Sequence, residues 1–187
     1  MQVTETKLSG VLVIAPRVFE DSRGFFMESY HRRRFAEFGI QYEFVQDNHS
    51  RSQRGVLRGL HYQLRQPQAK LVRVTHGRVF DVVADIRRGS PTFGEWFGVE
   101  LTAENQLQLL APEGLAHGFL VLSETAEFQY KCSAFYDADD EHGLPWNDPN
   151  IGIDWPLDGL DPILSERDQR WNPLSETGND GLPEYLK

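Results

Sequence analysis

The chain of 187 residues predicts an all-β sandwich or barrel of the jelly-roll kind. Three observations carry that reading. Short stretches rich in β-branched and aromatic residues recur from Val11 to Tyr136. Glycine, proline, asparagine or serine falls between or beside them, as turns would. Only one early segment, 32–38, reads as a helix.

In chain order the expected strands cover 11–18, 25–30, 43–49, 56–63, 71–75, 79–86, 96–101, 107–110, 117–122 and 127–136, with Gly24, Gly55, Gly77, Gly94 and the Pro112-Glu113-Gly114 run as punctuation. After Tyr136 the alternation fades, and the segment becomes acidic and rich in Pro, Gly and Trp. It reads as a tail packed on the barrel, so 1–187 is expected to be one domain, with a barrel core at about 10–136 and a tail at 137–187. Ser165-Glu166-Arg167-Asp168 fits a capping box, a serine followed three residues later by a carboxylate, and predicts a short helix opening there.

Composition excludes several classes. With 40% hydrophobic and 25% charged residues the chain has enough apolar side chain for a core and is not a disordered sequence. No run approaches the roughly 18 apolar residues of a membrane span. The short apolar patch at 11–15 has no basic flank of a targeting segment, so a cytoplasmic location without membrane association is expected. A lone cysteine, Cys132, excludes an internal disulfide and a cysteine-rich zinc module. The net charge of −9 is uneven: residues 137–187 hold thirteen acidic and three basic side chains, whereas 51–88 hold nine Arg or Lys against Asp81 and Asp85. Global acidity argues against a nucleic-acid partner, and the basic middle points to a local site for a small anion.

Strand parity indicates which side chains share a face. Phe128, Tyr130, Cys132, Ala134 and Tyr136 alternate with polar neighbours. Leu115, His117, Phe119 and Val121 share one face, and His61 shares one with Leu57, Gly59 and Gln63. Two histidines and a tyrosine are therefore expected to converge in one cavity. Each of them, taken singly, also fits a hydrogen-bonded core residue.

Gly55-Val-Leu-Arg-Gly-Leu-His61-Tyr-Gln63 and Pro112-Glu-Gly-Leu-Ala-His117-Gly-Phe resemble the two signature motifs of the cupin superfamily, which implies a cupin-type barrel. The second histidine of the first motif is Gln63, no glutamate follows at ligand spacing, and the cation Lys70 stands where a ligand is expected. Gln is a poor transition-metal ligand and protonated Lys is none, so no metal site is expected. An ammonium can stabilise a developing oxyanion directly.

The likeness extends further. Phe19-to-Ser29, Phe44-to-Ser50, Val56-to-Gln63, Lys70-to-Val74, Val79-to-Val82, Asp85-to-Gly94, Pro112-to-Phe119, Trp146-to-Pro149, Ile153-to-Pro156 and Leu164-to-Asp168 resemble, in the same order, the dTDP-4-dehydrorhamnose 3,5-epimerases. The resemblance implies a dTDP-linked 4-keto-6-deoxy sugar as substrate and no cofactor. It implies His61 as base, Asp168 as its partner, Tyr130 as the opposite-face acid and Lys70 as enolate stabiliser. His117 becomes a substrate contact with Asp81 behind it, and Arg23, Glu28, Gln46, Asn48 and Arg58 hold the nucleotide. Arg23 and Glu28 would reach a neighbouring subunit's site, so a homodimer is implied. Glu141 and Arg167 fall at tail positions that contact substrate, Arg167 where lysine is usual. Phe135-Tyr136 stands where two tyrosines are common. The same residues would serve an epimerase acting at C3 or C5 alone. A metal-dependent cupin dioxygenase is opposed by Gln63, and a non-catalytic sugar-nucleotide binder by the paired acid and base.

Overall fold

The computed structural model describes residues 1–185. Its strands are β1 (Gln2–Glu5), β2 (Leu12–Ala15), β3 (Val18–Asp21), β4 (Gly24–Met27), β5 (Gln46–Gln53), β6 (Leu57–Gln63), β7 (Lys70–His76), β8 (Arg78–Asp85), β9 (Trp96–Thr102), β10 (Gln108–Ala111), β11 (Leu115–Val121), β12 (Thr125–Cys132) and β13 (Glu141–Gly143), with a short helix α1 (Arg32–Ala36) between β4 and β5. The fold is all-β, as expected.

One sheet runs β1-β2-β10-β7-β12-β5 and the other β13-β6-β11-β8-β9, while β3 and β4 form a separate hairpin. The pairings within the sheets are antiparallel. Alternation along the strands divides the apolar side chains into three layers. Val72, Val74, Val79, Val83, Leu109, Phe119 and Phe128 join both sheets in the central core. Leu71 and Leu110 turn the other way and pack under Phe35 of α1. On the outer face of the five-stranded sheet, Leu57, Leu60, Val82, Ala84 and Leu120 meet tail residues Leu144, Ile151, Trp155, Leu174 and Leu182. Burying one such Leu or Ile side chain stabilises by about 1.5–3 kcal/mol, so the tail is firmly held. Backbone bonds fix its path, with Leu57 N–H donating to Ile163 O and Ile163 N–H to Gly55 O. That path brings the segment after Ile163 beside β6.

Several boundaries differ from expectation. The stretch 11–18 gives only β2, which stops before Pro16, whose nitrogen has no proton for a ladder, and the unexpected β3 starts at Val18. β5 begins later than expected and runs to Gln53, because it pairs with β12 over its whole length, from Gln46↔Cys132 to Gln53↔Thr125. β12 ends at Cys132, so Ala134 and Tyr136 belong to a loop and parity says nothing about them. One half of the capping box forms, with Asp168 N–H donating to Ser165 Oγ at 3.1 Å, while the Asp168 carboxylate turns to Ser165 Oγ and His61, and a single turn follows in place of the expected helix. Among the described residues, tail helicity consists of two 3-10 segments, Leu174–Glu176 and Asn179–Gly181. The short strands β1 and β13 escaped the pattern because each is too short to alternate visibly.

One irregularity shapes the interior. Against β11, His61 pairs with His117 but Arg58 pairs with Phe119, so β6 carries an extra residue at Gly59-Leu60. Gly59 has φ of 115°, and a Cβ there would stand 2.6 Å from Gly118 Cα and from His117 O. No side chain fits. The bulge turns Arg58 and His61 to the same side and leaves Leu57 with Leu60 on the outer face. The expected grouping of Leu57 with His61 is thereby corrected, since simple parity assumes an unbroken pleat.

Candidate active site

Between the sheets lies a cavity of about 360 Å³. β6 supplies Arg58, His61 and Gln63 to its wall, β7 Lys70, β11 His117 and Phe119, β12 Phe128 and Tyr130, β5 Gln46, Asn48 and Ser50, and β13 Glu141. Eight of the candidate residues thus meet in one space: His61, Tyr130, Lys70, Gln46, Asn48, Arg58, His117 and Glu141.

Asp168 stands behind His61, with its Oδ1 2.5 Å from His61 Nε2. Ser165 Oγ donates to Asp168 Oδ2 at 2.9 Å and Trp171 Nε1 approaches Oδ1 at 3.4 Å. Burial alone would push this carboxyl up, but the hydrogen bonds from His61, Ser165 and Trp171 outweigh it and hold its pKa below the ordinary value. An ionised carboxylate only accepts, so Nε2 carries a proton and Nδ1 is the nitrogen with a lone pair. Glu141 Oε1 is 4.0 Å from that Nδ1.

A second imidazole–carboxylate pair lies deeper. His117 Nε2 is 3.0 Å from both oxygens of Asp81, and both residues are buried. Burial raises the Asp81 pKa, and the opposing pull of His117 and Lys70 offsets only part of this. Burial likewise lowers the Lys70 pKa against the attraction of Cys132 and Asp81. At Tyr130 burial raises the phenol pKa, so it keeps its proton at neutral pH and is available as a donor.

The mouth of the cavity is closed on one side by a polar cluster. Glu141 pairs with Arg167, Tyr136 OH donates to Glu141 Oε2 at 3.0 Å, and Arg167 Nη1 donates to Tyr136 OH at 3.2 Å. Gln46 Oε1 accepts from Tyr136 N–H at 2.9 Å, and Gln46 Nε2 donates to Asn48 Oδ1 at 3.0 Å. Ser52 Oγ accepts from Arg58 Nε and Nη2 at 3.3 and 3.2 Å, which fixes the plane of that guanidinium.

Arg23 and Glu28 are not among the residues lining this cavity. Arg23 sits in the β3–β4 hairpin with its side chain 88% exposed, paired to Asp21, and Glu28 pairs with Arg34. Sequence reasoning missed Gln63 as a scaffold. Its Nε2 donates to Gln66 O and Phe135 O, and its Oε1 accepts from Asp137 N–H, so one buried amide ties together the rim that carries Tyr136. It also missed Ser52 and Trp171, which carry no motif signal, and read Ser165 only as a helix cap. Phe119 and Phe128 were legible from parity.

The residues do not fit a cupin metal. Gln63, at the position of a ligand, has its amide committed to backbone, and Lys70 places an amine where a ligand is expected, which has no lone pair to give when protonated. Among the described residues no group of three or more His, Cys, Asp or Glu is placed to hold an ion. What the cavity does present is an imidazole with a free lone pair, a protonated phenol and a lysine around one space. On a cupin-type jelly roll, these are the groups that acid–base chemistry on one bound molecule requires.

Comparison with known proteins narrows the class. The family model described as dTDP-4-dehydrorhamnose 3,5-epimerase matches residues 5–176. The dTDP-4-dehydrorhamnose 3,5-epimerase of Pseudomonas aeruginosa is 57% identical, over 94% of this chain and 97% of its own. That of Methanothermobacter thermautotrophicus is 51% identical over 97% and 96%. A crystal structure of the dTDP-6-deoxy-D-glucose-3,5-epimerase of Legionella pneumophila in complex with dTDP-4-keto-L-rhamnose superposes with a TM-score of 0.96 at 48% identity, covering 100% of this chain and 99% of that one. The chain belongs to the dTDP-4-dehydrorhamnose 3,5-epimerase family, and its reaction class is that of an isomerase.

Proposed function

We propose that the protein inverts C3 and C5 of dTDP-4-dehydro-6-deoxy-D-glucose to give dTDP-4-dehydro-L-rhamnose. The observation that carries this reading is the convergence of His61, Tyr130 and Lys70 on one cavity. Both carbons flank the ketone, so loss of either proton gives an enolate whose charge must be held. His61 Nδ1 takes the proton, with the imidazolium oriented and stabilised by Asp168. Lys70 holds the enolate oxygen's charge inside the barrel, where few waters compete. Tyr130, kept protonated by burial, returns a proton from the other face. His117, oriented by Asp81, is a contact for the substrate.

Arg58, held by Ser52, suits the diphosphate because its planar fork bonds two oxygens at once. Gln46 and Asn48 are assigned to the nucleoside, and Arg167 and Glu141 to the mouth. Arg23 and Glu28 act on a neighbouring copy's cavity in a homodimer. The exposed hairpin, with Phe25 and Phe26 at 57% and 67% exposure, has the apolar surface such an arm would bury. One domain spanning 1–187 and a cytoplasmic location go with this reading.

The test is incubation with dTDP-4-dehydro-6-deoxy-D-glucose in deuterated water, followed by NMR of the sugar. Deuterium at both C3 and C5 with inversion at both supports the reading. Uptake at one carbon alone would make the protein a single-centre epimerase.

A further inference from the structure

Inverting two centres uses the base twice in each turnover. Between the two abstractions His61 has to lose the first proton. The Nε2 side offers no exit, because Asp168 is itself buried, with 3% of its side chain exposed, and receives donors from Ser165 and Trp171. On the other side, His61 lines the cavity that the sugar would fill during turnover. The carboxylate facing Nδ1 is Glu141, with Oε1 4.0 Å away. In the resting site the two are both acceptors, and they stand just beyond hydrogen-bond distance. Once Nδ1 gains a proton it becomes a donor aimed at an anion, and catalytic bonds that are long in an empty site shorten during turnover. The other oxygen of Glu141 is anchored by Tyr136 and Arg167, whose exposures of 47% and 53% connect the cluster to water.

From this geometry we infer that Glu141 is the proton outlet that resets His61 between the two epimerisations. This rests on the acid–base reading proposed above and adds a step to it. In the first event the C–H bond breaks, its electron pair passes into the enolate, and the proton bonds to Nδ1. Then the Nδ1–H bond breaks with its pair left on nitrogen, and the proton bonds to Oε1. The carboxylic acid so formed loses it to water at the mouth. Charge is conserved and no oxidant or reductant takes part. β13 has a function under this scheme: its pairing of Glu141 with Gln63 and Gly143 with His61 holds outlet and base on adjacent strands.

Chemical rescue tests the inference. In Glu141→Gln, kcat should fall by roughly 100-fold, the singly inverted sugar should accumulate, and added formate should raise kcat by accepting the proton in place of the carboxylate. Glu141→Ala, which opens space for formate, gives the same test should the glutamine variant fold poorly. Glu141→Asp should keep most activity and respond little to formate. A raised KM with unchanged kcat and no formate response in both the Gln and Ala variants would overturn the outlet and leave Glu141 a binding contact. Failure of the wild type to place deuterium at either carbon would instead overturn the acid–base reading beneath it.

Discussion

His61 and Asp168 are 107 residues apart in the chain and 2.5 Å apart in the structure. One lies beside a bulge in β6 and the other on a single turn of the tail. The contact depends on the tail's apolar side chains packing on the outer face of the five-stranded sheet, so core packing sets the geometry of the His61 imidazole. Asp168→Asn should preserve the fold while presenting the wrong partner to Nε2. A fall in kcat on the order of 10²–10⁴ is expected, with a much smaller change in KM. Steady-state kinetics of the variant check this. The same carboxyl bears on acid stability. Its folded pKa lies below its unfolded one, so its stabilising contribution is complete above the ordinary Asp value of about 3.9 and is lost as pH falls through its lower folded value. Asp168→Asn should therefore lose less stability than the wild type over that acid window.

Lys70 is expected to trade stability for activity. Its folded pKa is depressed by burial, so at neutral pH the charged form disfavours folding, and the penalty fades as pH rises toward the unfolded value of about 10.4. Lys70→Met should raise the melting temperature at pH 7 while cutting activity on the order of 100- to 1000-fold. Calorimetry alongside an activity assay decides, and a lowered melting temperature would contradict the assignment of a buried cation. Chelator treatment of the wild type should leave turnover unchanged.

Arg58 and Arg23 should affect affinity. Contacts to a diphosphate exist in both ground and transition states, so Arg58→Ala should raise KM more than it lowers kcat. Arg23→Ala should do the same only if the hairpin reaches a second copy. Mixing Arg23→Ala with a chain inactivated at His61 then yields dimers with one complete site, and partial recovery of activity reports the shared site.

Gly59→Ala tests the bulge. The added carbon would meet Gly118 Cα and His117 O at 2.6 Å, both backbone atoms that cannot rotate away. The destabilisation should far exceed the roughly 1 kcal/mol of an ordinary substitution, measured by denaturant unfolding, and any folded protein should have displaced His61 and Arg58 together.

Much of this site was legible in the residues. Alternation put Tyr130 and His117 on inward faces, and the segments Gly55-to-Gln63 and Pro112-to-Phe119 marked His61 and His117 through their resemblance to the cupin motifs. The barrel's strands were legible because one buried face imposes a period of two. What stayed hidden had physical causes. The bulge at Gly59 breaks the parity on which the grouping of Leu57 with His61 depended. Ser165 and Asp168 carried a true local signal, but the turn they cap is continued by nothing, since tertiary packing and the carboxylate's bond to His61 replace the helix. Gln63 acts through hydrogen bonds to Phe135 and Asp137, 72 and 74 residues away in the chain, and Ser52 through its hydroxyl to Arg58 on the next strand of the chain, which no motif spacing reveals.

The most direct measurement compares His61→Asn with Tyr130→Phe in deuterated water, by NMR of the sugar. With His61 as the base for both carbons, His61→Asn should abolish deuterium uptake at C3 and at C5, because no enolate forms. Tyr130→Phe keeps the base, Lys70 and Asp168, so it should retain exchange while losing most inversion, especially at C5, where the missing phenol leaves no donor on the far face. Exchange surviving in His61→Asn at the wild-type rate would contradict the account and assign the base to another residue.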